Sequence, residues 1–292
     1  MQNGVDFFVA ALSKQKEVDV PAAVDNYNKA FACAENIKDY DVQCIAAACR
    51  RFLYYYNNGT RVGNTMDRNG ELHILNRLGE RGAGVIFDVG ANIGYWALAA
   101  AGANPAATIH SFEIFPETHA LLAANTAGRD LIVANAFGLS DRDGVIEVQS
   151  ADGVDSAHFS AVTHFENGRR ATCPVMRGDR YVAEAGIDRV DFLKIDVEGG
   201  EYDVLTGFSD TLARGAIDLI QFEYGPASLD SRKLLKDYCD LLVGHGYAVG
   251  RLHKAGANFK NYSVLDDENF INANFIACRK ERPDLLGAVA LR

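Results

Sequence analysis

The sequence predicts an α/β protein built on a doubly wound, mostly parallel sheet, with a helical segment ahead of it. Three observations carry this reading. From about Gly84, short apolar runs rich in β-branched residues alternate with helical stretches. A glycine-containing loop follows the first run, and acidic residues stand at the ends of later ones. Runs that are apolar throughout, rather than at every second residue, belong to strands buried on both faces by crossover helices.

The elements follow in order. Residues 1–60 read as helices: Pro21 suits a first turn, and Val24, Tyr27, Phe31 and Ala34 fall at helical spacing. Val42, Ile45, Ala46, Cys49, Phe52, Leu53 and Tyr56 write a second helix, which Asn57-Asn58-Gly59 ends. One hairpin without a repeat period is a cap, serving as a lid or dimer element, rather than a solenoid. Residues 61–80 read as a connecting segment, 81–280 as the main domain and 281–292 as a tail. Strands are expected at Val85–Val89, Thr108–Phe112, Leu131–Phe137, Val190–Ile195, Ala216–Phe222 and Ala273–Cys278, with helices at Gly94–Ala103, Pro116–Ala127 and Leu229–Val243. Between 138 and 178, the turn Asp141-Arg142-Asp143-Gly144 and alternating Val145, Glu147 and Gln149 predict an inserted hairpin at the sheet edge.

Composition narrows the function. The 292 residues are 48% hydrophobic and 23% charged, enough for a sizeable core. With 39 acidic against 29 basic side chains, the formal charge is −10. That balance argues against nucleic acid and anionic membrane as partners, since both are held by Lys and Arg. No apolar stretch approaches a membrane span, and Met1–Ala11 lacks the basic region of a signal peptide. The six cysteines show no CxxC pair and read as reduced thiols of a cytoplasmic protein. The seven histidines form no metal or triad pattern. His110 and His119 read as structural, while His158, His164 and His253 fall in loops suited to lining an acceptor site.

Two clusters carry chemistry. The first is Phe-Asp-Val-Gly-Ala-Asn-Ile-Gly at 87–94, between a strand and a helix. Such a loop brings backbone N–H groups near a ligand. A dinucleotide fingerprint needs G-x-G-x-x-G, and Asn92 and Tyr95 occupy its second and third glycine positions, which disfavours an NAD-dependent oxidoreductase. Asp88 would repel a pyrophosphate but attract an ammonium or sulfonium, the charges of S-adenosylmethionine. Glu113, 25 positions later at the end of the second strand, can accept hydrogen bonds from ribose hydroxyls.

The second cluster is Asp-Phe-Leu-Lys-Ile-Asp-Val-Glu-Gly-Gly-Glu at 191–201. Lys194 inside an apolar strand needs a carboxylate partner. Asp196 and Glu198 lie where that strand leaves the sheet, and Glu223 ends the next strand at the same rim. Glu201 reads as a favourable first-turn charge. Asp196, Lys194, Glu198 and Glu223 are the candidate catalytic residues: crowded carboxylates provide a base for an alcohol acceptor. Alternatively, Asp196 and Glu223, with or without Glu198, bind a divalent cation that lowers the acceptor pKa.

These segments, FDVGANIG (87–94), SFEIFPETHALLAAN (111–125), NAFGLSDRDG (135–144), DFLKIDVEGGEYDVLTG (191–207) and NFIACRK (274–280), resemble the FkbM-type S-adenosylmethionine-dependent methyltransferases in family order. The resemblance implies a class I methyltransferase fold of seven strands with an antiparallel last strand, and O-methylation of a hydroxyl on a sugar, polysaccharide or secondary metabolite. It implies cofactor binding by Asp88, Gly90, Asn92, Gly94 and Glu113, with Ser140 and Asp141 in the segment lining the adenine. Lys194, Asp196, Glu198 and Glu201 match its acidic motif. Met176–Asp179 departs from the family's usual leucine-rich segment, which weakens any role for Asp179. A different class of reading, a non-catalytic nucleoside-binding protein using residues 1–60 for protein interaction or homodimerisation, predicts cofactor binding without methyl transfer.

Overall fold

The computed structural model describes residues 66–150, 159–160 and 170–291, with Asn26 and Lys29. The helices expected within 1–60, Tyr54–Tyr56, His158 and His164 therefore lie outside the described residues. The chain divides into two units, Met1–Asn69 and Gly70–Arg292. Of the first, Met66–Asn69 forms a single helical turn. The second holds the motifs.

Its strands are β1 (Val85–Val89), β2 (Thr108–Phe112), β3 (Ile132–Asn135), β4 (Gly138–Ser140), β5 (Gly144–Ser150), β6 (Phe159–Ser160), β7 (Arg170–Arg177), β8 (Val190–Ile195), β9 (Ile217–Tyr224), β10 (Tyr247–His253), β11 (Gly256–Phe259) and β12 (Ala273–Arg279). Its helices are α1 (Glu71–Gly79), α2 (Tyr95–Ala103), α3 (Pro116–Asn125), α4 (Gly178–Glu184), α5 (Glu201–Gly207), α6 (Ser209–Ala213), α7 (Ala227–Ser231), α8 (Leu235–Gly244), α9 (Val264–Asp267) and α10 (Pro283–Val289).

The main sheet runs β11-β10-β12-β9-β8-β1-β2-β3. From β3 to β9 all pairs are parallel, while β12 is antiparallel to both β9 and β10. The central strands β1, β8 and β9 are buried almost end to end, as their unbroken apolar sequences require. Alternate residues serve two cores. Phe87 faces His110, Tyr181 and Phe208 on one side. On the other, Phe192 meets the Trp96 ring of α2 at 5.8 Å.

The inserted region forms a second sheet, β4-β7-β5-β6, in which β7 lies between β4 and β5. Four features differ from the sequence reading. The main sheet has eight strands rather than seven, because β10 and β11 make a hairpin where a polar loop was expected around His253. Gly250 hides that hairpin in the sequence: it interrupts the apolar pattern, yet a Cβ there would lie 2.7 Å from the Asn258 carbonyl oxygen. The helix expected over Leu229–Val243 breaks at Arg232, which has φ of 56°. The connecting segment 61–80 contains α1, whose Ile74 and Leu75 are core residues, and the tail 281–292 contains α10, which buries Leu285 and Val289. Beyond α10, Ala290 bridges Ala257 and the Leu291 N–H donates to the Ala257 carbonyl at 2.8 Å.

Candidate active site

The loop after β1 is strapped to its neighbours. Gly90 and Ala91 donate to the Phe112 carbonyl at 3.0 and 2.9 Å, and the Asp196 N–H donates to Val89 at 3.0 Å. At Gly90, with φ of 80°, a Cβ would stand 1.8 Å from the Asp196 carbonyl oxygen. At Gly94, with φ of 91°, it would meet Leu122 at 2.8 Å. Only glycine fits either position. Asn92 tolerates its φ of 48° because its own Oδ1 accepts from the Ile93 N–H at 2.7 Å.

Glu113 anchors this loop from β2. Its Oε2 accepts from the Asn92 N–H at 2.8 Å, and its Oε1 accepts from the Phe115 N–H at 2.9 Å and Thr118 Oγ1 at 2.8 Å. A carboxylate has about four acceptor sites, so one remains. The loop amides of 90–94 all donate within the protein. The N–H groups left to face a ligand are those opening α2, rather than the loop's own as the sequence suggested.

Below the loop lies a polar row. Ser111, Asp88, Lys194 and Gln221 are direct neighbours across β2, β1, β8 and β9, and none is more than 3% exposed. Lys194 Nζ donates to Asp88 Oδ1 at 3.2 Å, stands 3.4 Å from Asp196 Oδ2 and lies 5.5 Å above the Trp96 ring. Burial pulls the lysine's pKa down, but the Asp88, Asp196 and Glu71 charges outweigh it and hold the ammonium protonated. Burial raises Asp88 above the usual carboxylate range, against the pull of Lys194. Its second oxygen, Oδ2, is buried without a hydrogen-bond partner.

At the rim, one oxygen from each of Asp196, Glu198 and Glu223 lies within 4.8 Å of the others. Burial, then the charges of Asp196, Glu198 and Glu201, push Glu223 well above its ordinary value. Glu198 is held at φ of 56°, ahead of Gly199 at 107°. The brace is Glu201, whose carboxylate accepts from the Val197 N–H at 2.9 Å and the Gly199 N–H at 3.0 Å. Glu201 stands in the first turn of α5, as the sequence suggested, and is also a buried strut for the acidic loop.

The structure brings together Asp88, Gly90, Asn92, Gly94 and Glu113, and joins them through Lys194 to Asp196, Glu198 and Glu223. Ser140 ends β4 on the second sheet, its carbonyl against Gly207, and Asp141 pairs with Arg142 at 3.1 Å. Asp179 caps α6, accepting from the Asp210 and Thr211 N–H groups at 2.9 and 2.8 Å. His110 is a core residue bonded to Tyr181 Oη at 2.8 Å, as expected of a structural histidine. Sequence reasoning missed Gln221 and Glu71, which are linked at 2.7 Å. Their signal was there: a glutamine inside the apolar strand IDLIQFEY needs a polar partner.

Two glycines that exclude a Cβ, an orphan buried carboxylate oxygen and a rim of carboxylates fit a nucleoside that carries positive charge. A doubly wound sheet with antiparallel β12 between β9 and β10, and this site at the C-terminal ends of β1, β2, β8 and β9, defines a class I S-adenosylmethionine-dependent methyltransferase. Residues 88–249 match the family model for the methyltransferase FkbM domain, and the chain belongs to that family. It is 30% identical over 199 residues to 31-O-demethyl-FK506 methyltransferase FkbM of Streptomyces tacrolimicus, covering 56% of this chain and 73% of the relative. To 2-O-methyltransferase NoeI of Sinorhizobium fredii it is 28% identical over 173 residues, 54% of this chain and 70% of the relative. To hexuronic acid methyltransferase AglP of Haloferax volcanii it is 26% identical over 174 residues, 59% of this chain and 70% of the relative. No helix among the described residues is long and apolar enough to cross a membrane.

Proposed function

We propose that this protein is an O-methyltransferase whose acceptor is a hydroxyl on a sugar, polysaccharide or secondary metabolite. The observation that carries the reading is the convergence of Asp196, Glu198 and Glu223 beside the glycine loop, with Lys194 fixing Asp196 from below. Bound S-adenosylmethionine supplies an electrophilic methyl group on a sulfonium. An alcohol attacking it must shed a proton, and Glu223, with its raised proton affinity, is suited to take it within the cluster that Asp196 anchors. Asp88 Oδ2 would hold the cofactor's α-ammonium, and the remaining acceptor site of Glu113 a ribose hydroxyl. The relatives' names support the acceptor class, since two specify an O-methylation position and one a hexuronic acid. The net charge of −10 suits a small acceptor better than nucleic acid.

A second reading has a specific basis. The spacing of the three rim carboxylates also suits a divalent cation held by Asp196, Glu198 and Glu223. The test is release of S-adenosylhomocysteine from S-adenosylmethionine across a panel of sugars and hexuronic acids, with nucleoside binding followed by calorimetry. Asp196→Asn is expected to bind S-adenosylhomocysteine as wild type does and lose turnover by about 100-fold or more. Asp88→Ala and Glu113→Ala are expected to lose that binding. Activity that survives EDTA removes the cation, and a fully active Asp196→Asn removes the cluster.

A further inference from the structure

Glu113 reaches the glycine loop from the end of β2, but its carboxylate is also held from α3. Thr118, in the first turn of that helix, places Oγ1 2.8 Å from Glu113 Oε1 and 3.0 Å from the Phe115 carbonyl oxygen. A hydroxyl has a single proton, and the carboxylate is the stronger acceptor of the two, so Thr118 donates to Glu113. With the Phe115 N–H at 2.9 Å, Oε1 then has both of its acceptor positions filled. Oε2 takes the Asn92 N–H at 2.8 Å and keeps one position open. Both side chains are buried, and β-branched Thr118 has little freedom to swing its hydroxyl away. The three donors stand on three segments, the glycine loop, the turn from β2 to α3 and α3 itself, so the carboxylate is held against turning.

We propose that Thr118 is a positioning residue that sets the ribose specificity of the site: by filling the second acceptor position of Glu113 Oε1, it leaves the carboxylate able to hold only one of the two ribose hydroxyls. This rests on the reading of Glu113 as the ribose partner. An unencumbered carboxylate can offer one oxygen to each of two vicinal hydroxyls. Here the two oxygens are unequal, because the position that remains lies on Oε2, beside the bond from the Asn92 N–H. The hydroxyl that meets Oε2 gains a charge-assisted hydrogen bond in a buried setting, and its neighbour gains none from Glu113. Thr118 touches no ligand atom and acts by occupying what the second hydroxyl would otherwise use. Without it, Oε1 is held by the Phe115 N–H alone, and both oxygens have a position to offer.

The test is calorimetry of the full chain with S-adenosylhomocysteine and its 2′-deoxy and 3′-deoxy analogues. In wild type, loss of one hydroxyl is expected to weaken binding about tenfold or more, and loss of the other less than about threefold. Thr118→Val keeps the shape but frees the Oε1 position, and is expected to bring the two analogues within about threefold of each other. Thr118→Ser, which keeps the hydroxyl, is expected to keep the wild-type inequality. Thr118→Ala takes the place of valine if the added methyl disturbs the packing of α3. A merely structural threonine would change all three affinities together and leave the inequality as it was, which would overturn the proposal. So would a wild type that loses equally from either deletion while Glu113→Ala abolishes binding, since Glu113 would then hold both hydroxyls. A wild type indifferent to both deletions would fell the reading of Glu113 as the ribose partner, and this inference with it.

Discussion

Glu201 shows how one side chain can be placed correctly from a sequence while half of its role stays hidden. Its place at the start of α5 suggests a favourable charge near a helix N-terminus. The structure turns it inward, where burial pushes its carboxyl up from 4.5 to about 7 despite the bonds from Val197 and Gly199. Between those two values the folded protein keeps a proton that the unfolded chain has lost. Stability therefore falls as pH rises through that window, and the penalty is complete above it. Glu201→Gln has no such proton. The melting temperature of wild type minus that of Glu201→Gln is expected to decrease from pH 4.5 to 7, read by thermal scans at matched ionic strength. A difference independent of pH would show that Glu201 does not titrate there. Lys194, by contrast, was legible from its sequence: a lysine among Phe192, Leu193 and Ile195 demands a carboxylate, and Asp88 and Asp196 supply it.

At the scale of elements, strands that carry unbroken apolar runs were legible almost to the residue. Val85–Val89, Thr108–Phe112 and Val190–Ile195 stand as their sequences predict. Elements whose pattern is broken by a residue serving tertiary contact were not. Gly250 gives way to the Asn258 backbone and thereby erases the strand signal of β10. Arg232 stops a helix in a left-handed turn that arginine rarely adopts, and α8 restarts with the Leu235 N–H donating to Glu268 at 3.0 Å. The loop from β1 to α2 joins both kinds of information, since its glycines are visible in sequence but their reasons are the Asp196 carbonyl just past β8 for Gly90 and the Leu122 side chain of α3 for Gly94. Gly90→Ala would force a Cβ into the Asp196 carbonyl at positive φ. We expect it to cost about 3 kcal/mol in urea unfolding and to displace Asp196. A variant as stable as wild type would mean that β1 and β8 can separate there without penalty.

For the whole molecule, the order of strands could be anticipated only in outline. The alternating pattern implies a doubly wound sheet, and the acidic residues fall where such sheets bind ligands. Periodicity cannot say which strands are neighbours, so the row from Ser111 through Asp88 and Lys194 to Gln221 was invisible until the register was known. Four residues from four separated segments become one dry polar seam only when the sheet closes in this order. The same holds for Glu71, which sequence analysis assigned to a connector because nothing local ties it to a strand 150 residues away.

The bridge between Ala257 and Ala290 has a bearing on solubility. Strand β11 is an outer margin of the main sheet, and an unpaired margin invites another chain to add itself in register. Ala290 and Leu291 occupy part of that margin, with Leu291 donating to the Ala257 carbonyl, so the last described residues act as a selvedge against edge-to-edge growth. Truncation after Val289 is expected to leave the methyltransferase core folded but prone to self-association, seen as concentration-dependent light scattering that the full chain does not show. If the shortened chain scatters no more than the full one, the margin is protected by its twist and brevity alone.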